Sequence, residues 1–226
     1  MKIAVVVFPG SSGADDVAYA YREILGQEVV SIWHQEETLK GADVVVVPGG
    51  ASFGDYLRPG ALVMGSPICG ALRKFSRDGG PMLGIGNGFQ ILCELKILPG
   101  VLLQNTGLSF LSKDVFVSVD NVSSPFMKGL KEDQVLTVPL ACGFGRYYAD
   151  KRTLKDAEEN GNIAFRYCDR EGDIDLRDPF NGCLNAIAGV TSRHHNVLGV
   201  MFHPERAVEA SMGSTVGLPI LKAVLK

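Results

Sequence analysis

The sequence predicts an α/β protein with a central, mostly parallel sheet, helices on both faces and antiparallel strands added to that sheet. In the first half of the chain, short runs rich in valine and isoleucine alternate with stretches of helical periodicity. Continuous apolar runs are typical of parallel strands, because both faces of such strands are buried. In the second half, strand-like runs follow one another with only turns between them, which indicates antiparallel strands.

The first half begins with a strand and continues with helices and strands in alternation. We predict strands at Ile3–Phe8, Glu28–Trp33, Ala42–Val47 and Pro81–Ile85, and helices at Asp15–Leu25, near Ala61–Ser76 and at Gly88–Leu95. A glycine-rich turn, Pro48-Gly49-Gly50, follows the third strand. These elements together predict the parallel part of the sheet.

The second half contains five further strand-like runs, at Val115–Val119, Gln134–Pro139, Ile163–Tyr167, Ala186–Thr191 and Val197–Phe202. Turns are expected at Asn181-Gly182 and Arg193–Asn196. The charge run Lys151–Glu159 is typical of a solvated helix face. Ala207–Lys226 is expected to be helical with a break at Gly213, Gly217 or Pro219. No repeat or linker divides the chain, so we expect one domain over residues 1–226.

Composition excludes several classes of protein. The 226 residues are 46% apolar and 21% charged, with 22 Lys+Arg against 25 Asp+Glu and a net charge of −3. This balance argues against nucleic-acid binding, and no apolar run approaches the roughly 20 residues of a membrane span. The five cysteines contain no C-x-x-C pair, which disfavours a disulfide framework and favours a reducing cytoplasm.

The most informative segment is Pro81–Gln90, where a buried strand enters a sharp turn at Gly86 and a helix follows. Gly84 and Gly88 flank the central position, as in a nucleophile elbow. The helix N-terminus beneath such a turn would stabilise a thiolate or an alkoxide. An ordinary strand–turn–helix connection, with glycines for close packing, fits the same spacing.

Gly84–Leu92 resembles the G-[IV]-C-N-G-F-Q-[IL]-L motif of class I (triad) glutamine amidotransferases. More narrowly, the chain is similar to the glutaminase subunits of phosphoribosylformylglycinamidine synthase. Pro48–Arg58 resembles their P-G-G-F-S-Y-G-D-Y-L-R segment, and further matches lie at Phe8–Ser11, Leu98–Asn105, Pro139–Tyr147 and Asn196–Arg206. The resemblance implies a flavodoxin-like class I glutamine amidotransferase fold. It also implies glutamine hydrolysis that supplies ammonia for purine biosynthesis.

A Cys-His-Glu triad is implied by the same resemblance. His203 would act as base and then acid, and Glu205 would hold its tautomer. The two residues lie two apart after the strand Val197–Phe202, where extended geometry would point both side chains to one side.

The resemblance also implies an oxyanion hole and a glutamine contact. Backbone N–H groups at Gly50 and Ala51 would complete an oxyanion hole with the amide of Asn87. Gln90 matches a family residue that contacts the substrate glutamine. Asp55, Tyr56 and Arg58 either shape the site or the subunit interface, or belong to a plain surface loop.

The triad is incomplete, because Gly86 stands where the family has its cysteine. A glycine cannot attack an amide, so covalent glutaminase chemistry cannot start at this position. Three explanations remain open: a natural subunit that uses free ammonia or serves in assembly, a deliberately altered or redesigned sequence, or a displaced nucleophile. Cys142 is the candidate for the last, and its alternative role is a small buried apolar residue.

Two functions therefore remain. The chain is predicted to be a glutaminase subunit that is catalytically impaired, and the alternative is a non-catalytic glutamine-binding or scaffold subunit of the same complex. No phosphate-loop motif is present, so no cofactor is expected in this chain. The resemblance implies that a large synthetase subunit holds ATP and magnesium, and that a small bridging subunit completes the assembly. His194-His195 has no cysteine or carboxylate at ligand spacing, so we expect no metal site.

Overall fold

The computed structural model describes residues 1–177 and 179–225, which contain eleven strands and five α-helices. The strands are β1 (Lys2–Val7), β2 (Glu28–Trp33), β3 (Val44–Val47), β4 (Met82–Ile85), β5 (Val101–Leu103), β6 (Leu111–Val119), β7 (Val135–Cys142), β8 (Arg146–Tyr148), β9 (Ile163–Cys168), β10 (Ile187–Thr191) and β11 (Val197–Val200). The helices are α1 (Ala14–Tyr19), α2 (Ile68–Arg77), α3 (Asn87–Glu94), α4 (Lys151–Glu159) and α5 (Leu218–Ala223).

Nine strands form one sheet in the order β2-β1-β3-β4-β11-β10-β9-β6-β7. The first five are parallel to one another, whereas β10, β9, β6 and β7 continue the sheet from β11 with antiparallel pairing. The remaining strands, β5 and β8, form a separate antiparallel ribbon. The predicted fold class is therefore confirmed.

Strand order places helices on both faces of the parallel part. The chain moves outward from β1 to β2 through α1, and in the opposite direction from β3 to β4 through α2. Because parallel crossovers are right-handed, connections that run in opposite directions lie on opposite faces. Val44–Val47 is buried at every position, as expected for a strand covered on both sides.

Three predicted helices differ from the structure. The stretch predicted as Asp15–Leu25 is α1 followed by a π-helical turn over Ala20–Ile24. The stretch near Ala61–Ser76 is a 3₁₀ turn over Ala61–Gly65 and then helix α2. The break falls at Ser66, which is extended at ψ 135° because the following Pro67 disfavours a helical conformation there.

In the stretch predicted as Ala207–Lys226, only α5 is α-helical within the described residues, and Lys226 lies outside them. Gly213 ends a 3₁₀ turn with φ +85°. Gly217 packs so closely on Pro204 that a Cβ would lie 1.9 Å from the Pro204 carbonyl oxygen. Pro219 then stands in the first turn of α5, where its missing N–H costs nothing.

Candidate active site

The turn after β4 has the geometry of an elbow. Gly86 has φ 52° and ψ −109°, and α3 begins at the next residue. L-residues rarely adopt this conformation, so the turn is permissive for glycine and strained for other residues.

Close backbone approach explains the glycines that flank the turn. A Cβ at Gly88 would lie 1.9 Å from the Val47 carbonyl oxygen, so α3 rests directly on the end of β3. A Cβ at Gly84 would lie 2.6 Å from Leu92 Cδ1. The glycine pattern therefore has a packing role as well as its place in the elbow.

His203 and Glu205 form a buried pair. The His203 Nδ1 and Glu205 Oε1 atoms are 2.7 Å apart, and the residues are only 4% and 1% exposed. An ionised carboxylate can only accept, so Nδ1 carries the proton and Nε2 keeps its lone pair. This pair can therefore act as an oriented general base.

The backbone that holds this pair is not the extended strand predicted from sequence. β11 ends at Val200, and His203 precedes a 3₁₀ turn over Pro204–Arg206. β7 supports the backbone of the histidine, because the His203 N–H donates to the Pro139 carbonyl at 2.8 Å. Nε2 lies 3.4 Å from the Ala141 carbonyl oxygen, to which it can donate only when it carries a proton.

The His203 ring faces Gly86, the residue at the elbow that has no side chain. A Cβ built on Gly86 would lie 3.2 Å from His203 Cε1 and 3.4 Å from Nε2. Gly49 also faces this ring, since a Cβ there would lie 2.7 Å from His203 Cε1. A thiol at position 86 would thus stand beside the imidazole nitrogen that is free to take its proton.

The turn after β3 contains two of the predicted oxyanion donors, Gly50 and Ala51, whose N–H groups differ in their hydrogen bonds. Gly50 has φ +141°, and a Cβ there would lie 2.2 Å from the Gly10 carbonyl oxygen, so this position requires glycine. The Ala51 N–H donates to that same carbonyl at 2.9 Å, so its role as an oxyanion donor, which stays a prediction, requires that this hydrogen bond breaks. Within the described residues, the N–H groups of Gly50 and Asn87 donate to no protein acceptor.

The Asn87 side chain ties the elbow helix to the neighbouring loop. Its Oδ1 accepts from the Ser52 N–H at 3.0 Å, and its Nδ2 donates to Asp55 Oδ1 at 3.3 Å. Burial raises the pKa of Asp55. Sequence analysis did not identify Ser52, which is buried, as part of this site, although it lies within the matched Pro48–Arg58 segment.

Gln90 is positioned by protein groups at both ends of its amide. Oε1 accepts from Asn87 Nδ2 at 2.8 Å, and Nε2 donates to the Phe144 carbonyl at 2.7 Å. In this structure the residue links α3 to the loop after β7, rather than presenting a free amide. Arg58 lies further out and makes a bidentate contact with Glu94 at 2.7 Å for each bond.

Asn105 holds the loop that receives Gln90, and the sequence pattern did not single out this role. Its Oδ1 accepts from the Gly145 N–H at 2.9 Å, and its Nδ2 donates to the carbonyls of Cys142 and Ser109 at 2.9 and 2.8 Å. The residue is 1% exposed. Its buried hydrogen bonds fix the wall of the site that lies opposite the elbow.

Cys142 has the environment of a structural cysteine. It is buried at the end of β7, and its Sγ contacts Asn105 Oδ1 at 3.9 Å rather than a base. Burial raises the pKa of the thiol to about 11, so the nucleophilic thiolate is scarce at neutral pH.

A cavity of about 790 Å³ lies away from these residues. It is lined by residues that include Lys96, Val101, Arg152 and Arg193. Within residues 1–177 and 179–225, no three His, Cys, Asp or Glu side chains are grouped to hold a metal ion. None of the helices in that same part has the length and apolar character needed to cross a membrane.

The fold and the elbow beside a His-Glu pair define the class I glutamine amidotransferases. Residues 1–217 match the family described as the CobB/CobQ-like glutamine amidotransferase domain. The PurQ subunit of phosphoribosylformylglycinamidine synthase from Rhodopseudomonas palustris is 48% identical over 218 residues, 96% of this chain and 94% of that protein. The PurQ subunit from Rubrobacter xylanophilus is 47% identical and covers 100% of this chain and 98% of its own.

Solved structures agree with these sequence relatives. A chain in the structure of PurLQS from Thermotoga maritima superposes with a TM-score of 0.87 at 37% identity, covering 99% of this chain and 97% of that chain. A glutamine amidotransferase from Thermotoga maritima has the same fold, with a TM-score of 0.64 at 14% identity over 100% of this chain and 99% of that chain. The chain belongs to the glutamine amidotransferase family, in the group of PurQ subunits of phosphoribosylformylglycinamidine synthase.

Proposed function

We propose that this chain is an amidotransferase subunit that retains a glutamine site but cannot form the covalent intermediate of glutamine hydrolysis. The observation that carries the proposal is the elbow itself. Gly86 keeps the elbow conformation, and the His203 ring stands within 3.4 Å of the place where its Cβ would be. The catalytic base is thus aligned on a nucleophile that the sequence lacks.

The chemistry of the proposed site follows from its donors. In a complete triad, the thiol loses its proton to His203 Nε2 and the sulfur attacks the glutamine carboxamide carbon. The N–H groups of Gly50 and Asn87 would stabilise the oxyanion that forms. The protonated imidazole would give its proton to the amide nitrogen as the C–N bond breaks and ammonia leaves, and water would then hydrolyse the thioester to glutamate and the free thiol. With glycine at position 86, only binding, orientation and general-base assistance remain.

The proposed partner is the synthetase subunit, which would hold ATP and magnesium. Two segments beside the site carry large exposed apolar side chains: Tyr56 and Leu57 follow Asp55, and Leu108 and Phe110 precede β6. Phe110 lies against the loop that receives Gln90, since its Cδ2 would be 3.7 Å from a Cβ on Gly143. Exposed apolar residues grouped beside a site are typical of protein interfaces. We propose that the synthetase subunit binds these two segments, which we call the rim. The small bridging subunit would belong to the same complex.

The name PurLQS, given to the Thermotoga maritima structure, and the subunit names of the relatives support an assembly of this kind. The free cysteines among the described residues support a reducing, cytoplasmic setting.

Glutamine titration tests the retained site. We expect saturable binding of glutamine in a calorimeter without release of glutamate. The Gly50→Ala variant places a Cβ 2.2 Å from the Gly10 carbonyl oxygen and should lose that binding. Gly65→Ala is the matched control, because a Cβ there meets nothing within 4 Å. Absence of glutamine binding by the unchanged chain would contradict the proposal.

Co-purification with the synthetase subunit tests the rim. Replacement of Leu108 and Phe110 by serine should weaken the complex at least about tenfold, as expected for the loss of buried apolar contacts. Val122→Ser is the control, because Val122 is also an exposed apolar residue (41% exposed) but belongs to neither segment of the rim. It lies close in sequence to Ser124, whose hydroxyl donates to the His195 carbonyl in the turn before β11. Equal weakening by the control would remove the rim from the proposed interface.

A further inference from the structure

Only one of the two carboxylate oxygens of Glu205 has a hydrogen-bond partner among the described residues. Oε1 meets His203 Nδ1, whereas Oε2 is buried and has no hydrogen-bond partner among the described residues. A buried oxygen of an ionised carboxylate is costly to leave unpaired, so this atom requires an explanation.

Tyr21 carries a second buried and unpaired atom. Its side chain is fully buried, and its hydroxyl has no hydrogen-bond partner in the described part of the chain. Burial and, next, the negative charge of Glu205 raise the pKa of Tyr21, so the phenol stays protonated and remains a donor at neutral pH.

Tyr21 lies in an irregular turn of the helix that packs near Glu205. Helix α1 continues into a π-helical turn over Ala20–Ile24, closed by the Leu25 N–H donating to the Ala20 carbonyl at 3.0 Å. Such turns are rare and occur often at functional sites, because the extra residue rotates the following side chains.

Two contacts from the residues before Tyr21 fix this helix against the segment that carries Glu205. Arg206 Nε donates to Asp16 Oδ2 at 3.3 Å, and the Tyr19 hydroxyl donates to Glu209 Oε2 at 2.9 Å. The helix therefore spans the 3₁₀ turn of Pro204–Arg206, with Tyr21 on its buried side.

We propose that Tyr21 is a positioning residue whose hydroxyl donates, through one buried water, to Oε2 of Glu205. The carboxylate is then held by both oxygens, with Oε1 fixed on the histidine. A buried water with two or more polar partners is an ordinary part of protein structure. The consequence is that His203 Nε2 points at the elbow even though no thiol is there to hold it.

The low-field NMR resonance of the His203 Nδ1 proton tests the proposal in the unchanged chain. Tyr21→Phe removes the donor and keeps the ring. We expect the resonance to shift and its exchange with solvent to become at least about tenfold faster, as for the loss of one hydrogen bond to a charged group. A crystal structure should show the water between Tyr21 and Glu205.

Tyr167→Phe is the matched control. The Tyr167 hydroxyl is also buried and unpaired within the described residues, but the side chains that affect its pKa besides burial are the thiols of Cys183 and Cys142, not Glu205. This variant should leave the His203 proton unchanged. An unchanged proton in Tyr21→Phe, or an equal change in Tyr167→Phe, would overturn the proposal.

Kinetics in the Gly86→Cys background give a second test, which rests on the proposed function. Adding Tyr21→Phe should lower kcat about tenfold with little change in KM, because an oriented base acts in the chemical step. A general loss of structure would instead lower the melting temperature and affect both constants. If Gly86→Cys itself is inactive, the proposed function fails, while the NMR measurement still decides the role of Tyr21.

Discussion

At Gly86 the backbone lies in a region that costs an L-residue about 1–3 kcal/mol. The observed φ of 52° and ψ of −109° therefore favour the glycine that is present. A cysteine at this position would be strained, and its reactivity would depend on the rest of the fold holding it there. The missing nucleophile thus increases stability while it removes the covalent step, a trade-off common at active sites.

Cys142 should be inert in the native protein. Its pKa of about 11 and its burial predict no alkylation by iodoacetamide at pH 8 on the timescale of minutes. In Gly86→Cys, the introduced thiol should be modified at least about tenfold faster than Cys142, because His203 can take its proton. Denatured protein, in which every cysteine is accessible, provides the reference for peptide mass spectrometry. Rapid, activity-linked labelling of Cys142 in the unchanged chain would restore it as a nucleophile.

The elements of the sheet could be predicted because their apolar runs are local. Glu28–Trp33 is predicted to the residue, and the other predicted strands of the parallel part differ from the structure by one or two residues at their ends. The helices were harder, because Pro67 and Gly217 break them through contacts or backbone preferences that helical periodicity does not report. The three-residue strands β5 and β8 were missed, since their pairing depends on residues far apart in the chain.

Two helix glycines should respond oppositely to alanine. At Gly88 a Cβ would meet the Val47 carbonyl oxygen at 1.9 Å, so Gly88→Ala should lower the free energy of unfolding by about 1–3 kcal/mol or more. At Gly70, within α2, a Cβ meets nothing within 4 Å. Gly70→Ala should therefore raise the free energy of unfolding by about 0.5–1 kcal/mol. Urea denaturation measures both, and equal effects would contradict the close contact of α3 with β3.

The N-terminus of α4 should contribute an acid-sensitive part of the stability. Hydrogen bonds from the Thr153 backbone and then its hydroxyl lower the pKa of Asp150 below the usual 3.8. The stabilisation is present above pH 3.8 and is lost as the pH falls through the lower, folded-state pKa. Asp150→Asn should therefore lose less stability than the unchanged chain on acidification from about pH 6 to about pH 3. Asp156→Asn, on the same helix, should retain the original dependence.

On the scale of the whole molecule, the site forms where the two parts of the sheet meet. The parallel part supplies the elbow after β4 and the Gly50 turn after β3, at the strand ends where α/β proteins bind ligands. The antiparallel part supplies the Pro139 carbonyl that holds His203 and the Phe144 carbonyl that holds Gln90. Sequence motifs identified the residues of the parallel edge. They could not predict that the Ala51 N–H donates to the Gly10 carbonyl, or that the Tyr21 hydroxyl and Glu205 Oε2 are both buried and unpaired within the described residues, because both depend on long-range packing.

Glutaminase activity of Gly86→Cys is the most direct test of the account. We measure glutamate release by the unchanged chain, by Gly86→Cys and by Gly86→Cys with His203→Ala, each with the synthetase subunit present. The account predicts that Gly86→Cys releases glutamate at least about a hundredfold faster than the unchanged chain, and that His203→Ala abolishes the gain. Equal rates for the unchanged chain and Gly86→Cys would contradict the proposed function, because His203 would then fail to activate a thiol placed beside it.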